Sequence, residues 1–123
     1  MARLLILGNG SSGRAAAALA EKLGDETRVL DGADEFPVDE SFDGAIVSPG
    51  VPLDHPWQVA CRARAIPVRS ELQFGCEELK RRGIKLLAVT GSKGKSSVVK
   101  VVADAINLAG MKAVACGNYG VPV

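Results

Sequence analysis

This sequence predicts an α/β fold on a mainly parallel sheet, and three observations carry the prediction. Short apolar runs alternate with stretches of helical periodicity, the order that right-handed crossovers turn into parallel strands. The runs are near-continuous in apolar residues, as strands covered on both faces are. Two of the runs end in glycine loops that open directly into helices, "LGNGSSG" and "TGSKGKSS".

In chain order, "RLLILG" is a buried strand, and residues 12–23 are an Ala-rich helix stopped by Gly24. "TRVLD" is the second strand, "DGADEFPVDESFD" a turn-rich loop, and "GAIVSPG" a third strand closing in a Pro-Gly turn. In "DHPWQVACRARA", Pro56 suits the first helical turn, where its missing N–H would be unpaired anyway. That helix must end near Ile66, because Pro67 drives the residue before it out of the helical region. "IPVRS" is a short strand. Ser70 and Gln73 have capping-box spacing, so a helix runs over 71–82 and stops at Gly83. "IKLLAVTG" is a fifth strand and "KAVACG" a last one. Between them, 96–109 is a helix with an apolar stripe at Val98, Val101, Val102, Ala105 and Ala109, stopped by Gly110. "KRRG" is the candidate linker, giving domains 1–82 and 83–123.

Composition narrows the function classes. Apolar residues make up 47% and charged residues 24% of the chain, as in ordinary globular domains. A net charge of +1 gives no bulk electrostatic case for nucleic acid or an anionic membrane as partner. No run approaches the roughly 18 apolar residues of a membrane span, and no export signal is visible at the N-terminus, so a cytoplasmic location is expected. Cys61, Cys76 and Cys116 are widely separated and His55 is the single histidine, which leaves no metal-ligand cluster and implies buried, reduced thiols. His55 reads as a capping or packing residue, Trp57 as a packing residue, and "EELKRR" as a solvated helix face.

Gly8, Gly10 and Gly13 make G-x-G-x-x-G between the first strand and the first helix. The first glycine permits a tight turn, the second a close approach of a diphosphate, and the third close helix–strand packing. The helix N-terminus then favours an anion, and Asp31 ends the second strand where a ribose-binding acid belongs. On its own this pattern fits a Rossmann-like dinucleotide site, and hence an NAD-dependent oxidoreductase or redox sensor. A structural turn, or a free-standing nucleotide-binding module without chemistry, also fits it.

In the second loop, Gly91, Gly94, Lys95 and Ser96 read G-x-x-G-K-S, a shortened form of the common P-loop pattern. Backbone N–H groups across Gly91, Ser92, Lys93, Gly94 and Ser97 can nest phosphates; Lys95 can reach the β- and γ-phosphates, and the Ser96 hydroxyl can ligate Mg²⁺. The loop implies ATP with Mg²⁺. With the flanking strands it gives a truncated P-loop β-α-β unit behind the Rossmann-like sheet.

The short loop preceded by "AVT", together with "SPG", "HPW", "IPV" and a terminal "GNYG", resembles the Mur ligases along essentially the whole chain. Within that family the resemblance is to the branch that adds D-glutamate to UDP-N-acetylmuramoyl-L-alanine. It implies that the first loop holds the UDP diphosphate and the second holds ATP. Ser11 and Ser12 are then placed beside the UDP moiety, with Ser48, Pro49 and Gly50 lining the same pocket. Lys95 and Ser96 match the catalytic ATP lysine and the Mg²⁺ hydroxyl, and Asn118 matches an asparagine facing the muramoyl substrate. The implied chemistry is amide formation through an acyl phosphate. Departures are Gly32 and Ala33 where a Thr-Arg pair contacts uracil, Ser92 and Lys93 where Thr-Asn is common, and Gln73 for a glutamate. The family's Mg²⁺ glutamate, modified lysine, substrate histidine and third domain have no match here, so this stretch alone is expected to be inactive. Its small second unit, with unpaired strand edges, is expected to self-associate as a two-fold homodimer through 85–89 or 98–109.

Overall fold

The strand β1 (Arg3–Leu7) is the centre of the first unit. The computed structural model describes residues 1–91 and 93–116, which divide into two units, Met1–Glu78 and Leu79–Val123. In the first unit β1 is followed by α1 (Ser11–Lys22), β2 (Glu26–Leu30), β3 (Gly44–Val47), α2 (Pro56–Ala63), β4 (Val68–Ser70) and α3 (Glu71–Arg81), the last crossing into the second unit. The four strands form one all-parallel sheet in the order β2-β1-β3-β4. This is the α/β, Rossmann-like architecture the sequence predicts.

The alternation of β1 explains its two cores. Leu4 and Ile6 face α1 and α3, packing with Ala16, Ala17, Ala20, Ile46 and Phe74. Leu5 and Leu7 face the other side with Leu30, Ala45, Trp57 and Cys61. Small alanines let α1 approach the sheet closely. The crossover from β2 to β3 carries no helix; its loop, 31–43, covers the sheet with Phe36 and Phe42 instead. Arg3 and Arg64 stack over Phe42 and Phe36 and pin that loop.

Several details depart from expectation. The helix α2 ends before Ile66, because Ala65 takes the left-handed conformation (φ 55°). Glu78 is buried at 7% exposure, so "EELKRR" is not wholly a solvated face. Cys61 is fully buried, and burial pushes its thiol up while Arg62 and Arg64 pull it down; Cys76 and Cys116 are only half-buried.

Among the described residues, the second unit contains the C-terminal end of α3 and one further helix, α4 (Lys95–Leu108). Residues 84–90 and 112–116, expected as strands, are not in strands. A strand is completed by hydrogen bonds to a neighbour, and among the described residues neither segment pairs with one. The apolar stripe of α4 is present, yet the helix has no buried residue. Among the described residues no helix is long and apolar enough to cross a membrane.

Candidate functional site

The strand order puts a reversal of direction beside β1. The chain runs from β1 outward to β2, then returns to the other side of β1 as β3. In open parallel sheets, ligands settle outside the carboxyl ends of the strands at such a switch point. The sequence places its first group of site residues there.

Gly8 leaves β1 with φ 111° and donates its N–H to the Leu30 carbonyl at 3.0 Å, tying the loop to the end of β2. A side chain on Gly13 would put its Cβ 1.9 Å from the Gly8 carbonyl oxygen, so only glycine fits. Gly10 has open space around it and caps α1 without a side-chain hydrogen bond. The N–H groups of the first turn, including those of Ser11 and Ser12, have no intrahelical acceptor, and no acidic residue occupies that turn. Arg14 Nη1 donates to the Asn9 carbonyl at 3.4 Å, laying a cation along the loop.

Ser48 follows β3 and donates its N–H to the Leu7 carbonyl at 3.0 Å. Its Oγ is buried without a hydrogen-bond partner among the described residues and lies against the loop, 2.8 Å from where a Cβ on Gly8 would be and 3.3 Å from one on Gly13. A buried hydroxyl in that state is unusual and marks a place where a polar ligand atom would be welcome. Pro49 and Gly50 form the exposed turn beyond it, closed by the Val51 N–H donating to the Ser48 carbonyl.

Asp31 sits just past β2. Its Oδ1 accepts from the Gly32 N–H at 2.8 Å, and Asp34 Oδ2 accepts from the Asp31 N–H at 2.9 Å. The turn is therefore ordered by its own carboxylates. The helix α2 holds both turns from behind. Trp57 Nε1 donates to the Asp34 carbonyl at 2.9 Å. Gln58 Nε2 donates to the Val51 and Pro52 carbonyls, each at 3.1 Å. Trp57 and Gln58 are each 4% exposed. His55 caps α2, its Nδ1 accepting from the Trp57 N–H. Sequence reasoning missed Gln58; the available signal was a polar residue three positions before Cys61, on the buried stripe of α2.

The second group lies in the other unit. Gly91 (φ 141°) and Gly94 (φ 76°) take positive φ, and Gly94 caps α4 without a side-chain hydrogen bond. Lys95, Ser96 and Ser97 form the first turn of α4, with Lys93 exposed just before it. The Lys95 Cγ is 4.0 Å from where a Cβ on Gly91 would be, so its stem folds back over the loop. Left-handed glycines, open helix N–H groups and two lysines fit a phosphate chain. Ser92 and Asn118 lie outside the described residues. Among the described residues no group of three or more His, Cys, Asp or Glu could hold a metal ion.

A scan against family models finds no match. Curated relatives do match. The UDP-N-acetylmuramoylalanine--D-glutamate ligase of Chlamydia abortus is 32% identical over 139 residues, covering 98% of this chain and 33% of the relative. The protein of the same name from Gloeobacter violaceus is 34% identical over 146 residues, covering 100% of this chain and 33% of the relative. That of Streptococcus pyogenes serotype M1 is 30% identical over 143 residues, covering 98% and 31%. The chain spans about a third of the length of these relatives. With the Rossmann-like sheet, the glycine loop at its switch point and this agreement along the whole chain, the protein belongs to the Mur ligase family.

Proposed function

We propose that the chain is the nucleotide-holding part of an ATP-dependent ligase that adds D-glutamate to UDP-N-acetylmuramoyl-L-alanine. The observation that carries this is the unpartnered Ser48 Oγ against Gly8 and Gly13 at the switch point, taken with the substrate printed in the relatives' name. The first loop would hold the UDP diphosphate on the N–H groups of Ser11 and Ser12, with Asp31 facing the ribose, Ser48, Pro49 and Gly50 lining the nucleoside side of the pocket, and Asn118 toward the muramoyl group. The loop before α4 would hold ATP through Gly91, Ser92, Lys93, Gly94, Lys95 and Ser97. The Ser96 hydroxyl would ligate a Mg²⁺ whose remaining ligands come from phosphate and water. ATP bound there would supply its γ-phosphoryl group to the substrate carboxylate, with ADP leaving, and the amine of D-glutamate would then displace inorganic phosphate from the acyl phosphate, losing a proton, to form the amide. Lys95 and the N–H groups of the loop stabilise the charge on the phosphates.

Two measurements test the proposal. In calorimetric titration of the chain, UDP-N-acetylmuramoyl-L-alanine should outcompete NAD; the reverse order sinks the UDP assignment. Lys95→Ala, introduced into a full-length ligase carrying this stretch, should abolish amide formation with little change in melting temperature, because the Lys95 side chain lies over a loop and not in a core. Near-normal turnover in that variant removes Lys95 from the chemistry.

A further inference from the structure

We infer that Trp57 and Gln58 are positioning residues that set the specificity of the first loop's pocket for a nucleoside. The inference rests on the UDP assignment proposed above. Two turns flank the switch point, 31–34 after β2 and 48–51 after β3, on opposite sides of β1. A nucleoside bound at the glycine loop has to fit the space that these two turns define. Neither turn is anchored by the sheet beyond its first residue. Each accepts a hydrogen bond from one buried side chain of the first turn of α2: Trp57 Nε1 on the Asp34 carbonyl, and Gln58 Nε2 on the Val51 and Pro52 carbonyls; the Pro52 carbonyl also accepts from the His55 N–H, and Val51 packs against the core.

The order passes on to the groups that would meet the ligand. With its carbonyl fixed, Asp34 turns its carboxylate onto the Asp31 N–H, and Asp31 in turn closes on Gly32. With the Val51 and Pro52 carbonyls fixed, the Val51 N–H closes the Ser48 turn and sets the backbone that carries Ser48 Oγ. His55 locks the start of the clamp by capping α2 and packing at a tilt of 49° against Trp57, ring centroids 4.4 Å apart. The glycine loop itself does not depend on this clamp, because it is tied to β2 through the Gly8 N–H and the Leu30 carbonyl. Diphosphate recognition and nucleoside recognition are thus anchored separately.

The experiment compares the wild-type chain with Trp57→Phe, which keeps a ring and loses the N–H, and Gln58→Met, which keeps length and loses the donors. Val59→Ala, on the exposed side of the same helix, is the control. Affinities for UDP and for inorganic diphosphate are measured by calorimetry, and backbone amide exchange by NMR. The expected result is an affinity for UDP lower by about tenfold in each variant, the scale of losing an ordering hydrogen bond, with diphosphate affinity unchanged. Amides of 31–34 should exchange faster only in Trp57→Phe, and those of 50–51 only in Gln58→Met. Equal loss for UDP and diphosphate, or loosened turns with unchanged UDP affinity, overturns the inference. So does unchanged amide exchange, or loss of the fold in both variants; if only one variant unfolds, the other decides. A wild-type chain that binds diphosphate no more weakly than UDP overturns the UDP assignment instead, while the exchange pattern still decides whether the two side chains position the turns.

Discussion

In the first unit, the apolar run before the glycine loop has Leu4 at 3% exposure and Leu5, Ile6 and Leu7 at 0%, and its helix buries Gly13, Ala16, Ala17 and Ala20. In the second unit, the apolar run before the glycine loop is exposed along 84–90, with Leu87 at 71%, and its helix α4 buries nothing. The local pattern is the same in both: apolar run, glycine loop, helix with an apolar stripe. The difference is a sheet. β1 has β2 on one side and β3 on the other, while 84–90 has no strand beside it among the described residues. A loop can take its shape from its own glycines, and a helix from its own hydrogen bonds, but a strand takes shape only from neighbours.

The two loop glycines break this comparison most sharply. Gly13→Ala should unfold the first unit, because the new Cβ meets a backbone oxygen that cannot rotate away. A loss above about 4 kcal/mol is expected, comparable with the whole stability of a small domain. Gly94→Ala has open space around it and only the strain of a left-handed φ, which costs about 1–2 kcal/mol. Thermal denaturation followed by circular dichroism separates the two. A folded Gly13→Ala variant with near-normal melting would mean that the turn from β1 into α1 is not as tight as described.

How far the sequence disclosed these features follows from the same physics. β1, α1, β2, β3, β4 and α3 were legible because period, caps and stop glycines are written locally; Ser70 Oγ does accept from the Gln73 N–H at 3.0 Å, as the capping spacing predicts. The Gly8-Gly10-Gly13 loop was legible because steric need for glycine is also local. The unpaired state of 84–90 was not, since an apolar run does not say whether its partners are at hand. Trp57 and Gln58 were not legible as clamps either: their acceptors, Asp34, Val51 and Pro52, lie in separate turns that only the folded chain brings to α2. Ser48 could be singled out by resemblance, while its lack of a hydrogen-bond partner is a property of three-dimensional packing alone.

The two apolar surfaces sharpen the contrast at intermediate size. Ile6→Ala should cost about 2–5 kcal/mol, the range for emptying a packed site. Val101→Ala, at 66% exposure, should stay within about 0.5 kcal/mol. The exposed side chains of 84–90 and α4 should instead act between molecules. The chain is expected to gain apparent mass with concentration in light scattering, toward a dimer, and Val101→Lys should reverse the gain by placing a charge in the stripe. A constant monomer mass at high concentration removes the self-association, and an unaffected Val101→Lys variant moves it off α4.

The smallest expected effect comes from one ion pair in each unit. Glu77 accepts a hydrogen bond from Gln73 at 3.0 Å and pairs with Arg69, which itself stacks over Phe74 at 5.0 Å. These contacts tie α3 to the end of β4, and the bond from Gln73 first, then the one from Arg69, holds the Glu77 carboxyl below its ordinary value. A carboxyl lowered in the folded state adds stability above the ordinary glutamate value of about 4.3 and loses it as pH falls through the lowered folded value. The gain stays small because solvent screens a half-exposed pair. Lys100 and Asp104 on α4 are further apart, at 3.7 Å, with side chains 70% and 61% exposed. Melting temperatures of the wild type, Glu77→Gln and Asp104→Asn from pH 7 down to the acid range should therefore differ in pattern. Glu77→Gln should melt slightly below the wild type near pH 7, the gap closing as the pH drops below the ordinary glutamate range, while Asp104→Asn should track the wild type throughout. A gap for Glu77→Gln that stays constant into strong acid would show that the loss comes from altered packing, and that the ionised carboxylate contributes nothing at the junction of β4 and α3.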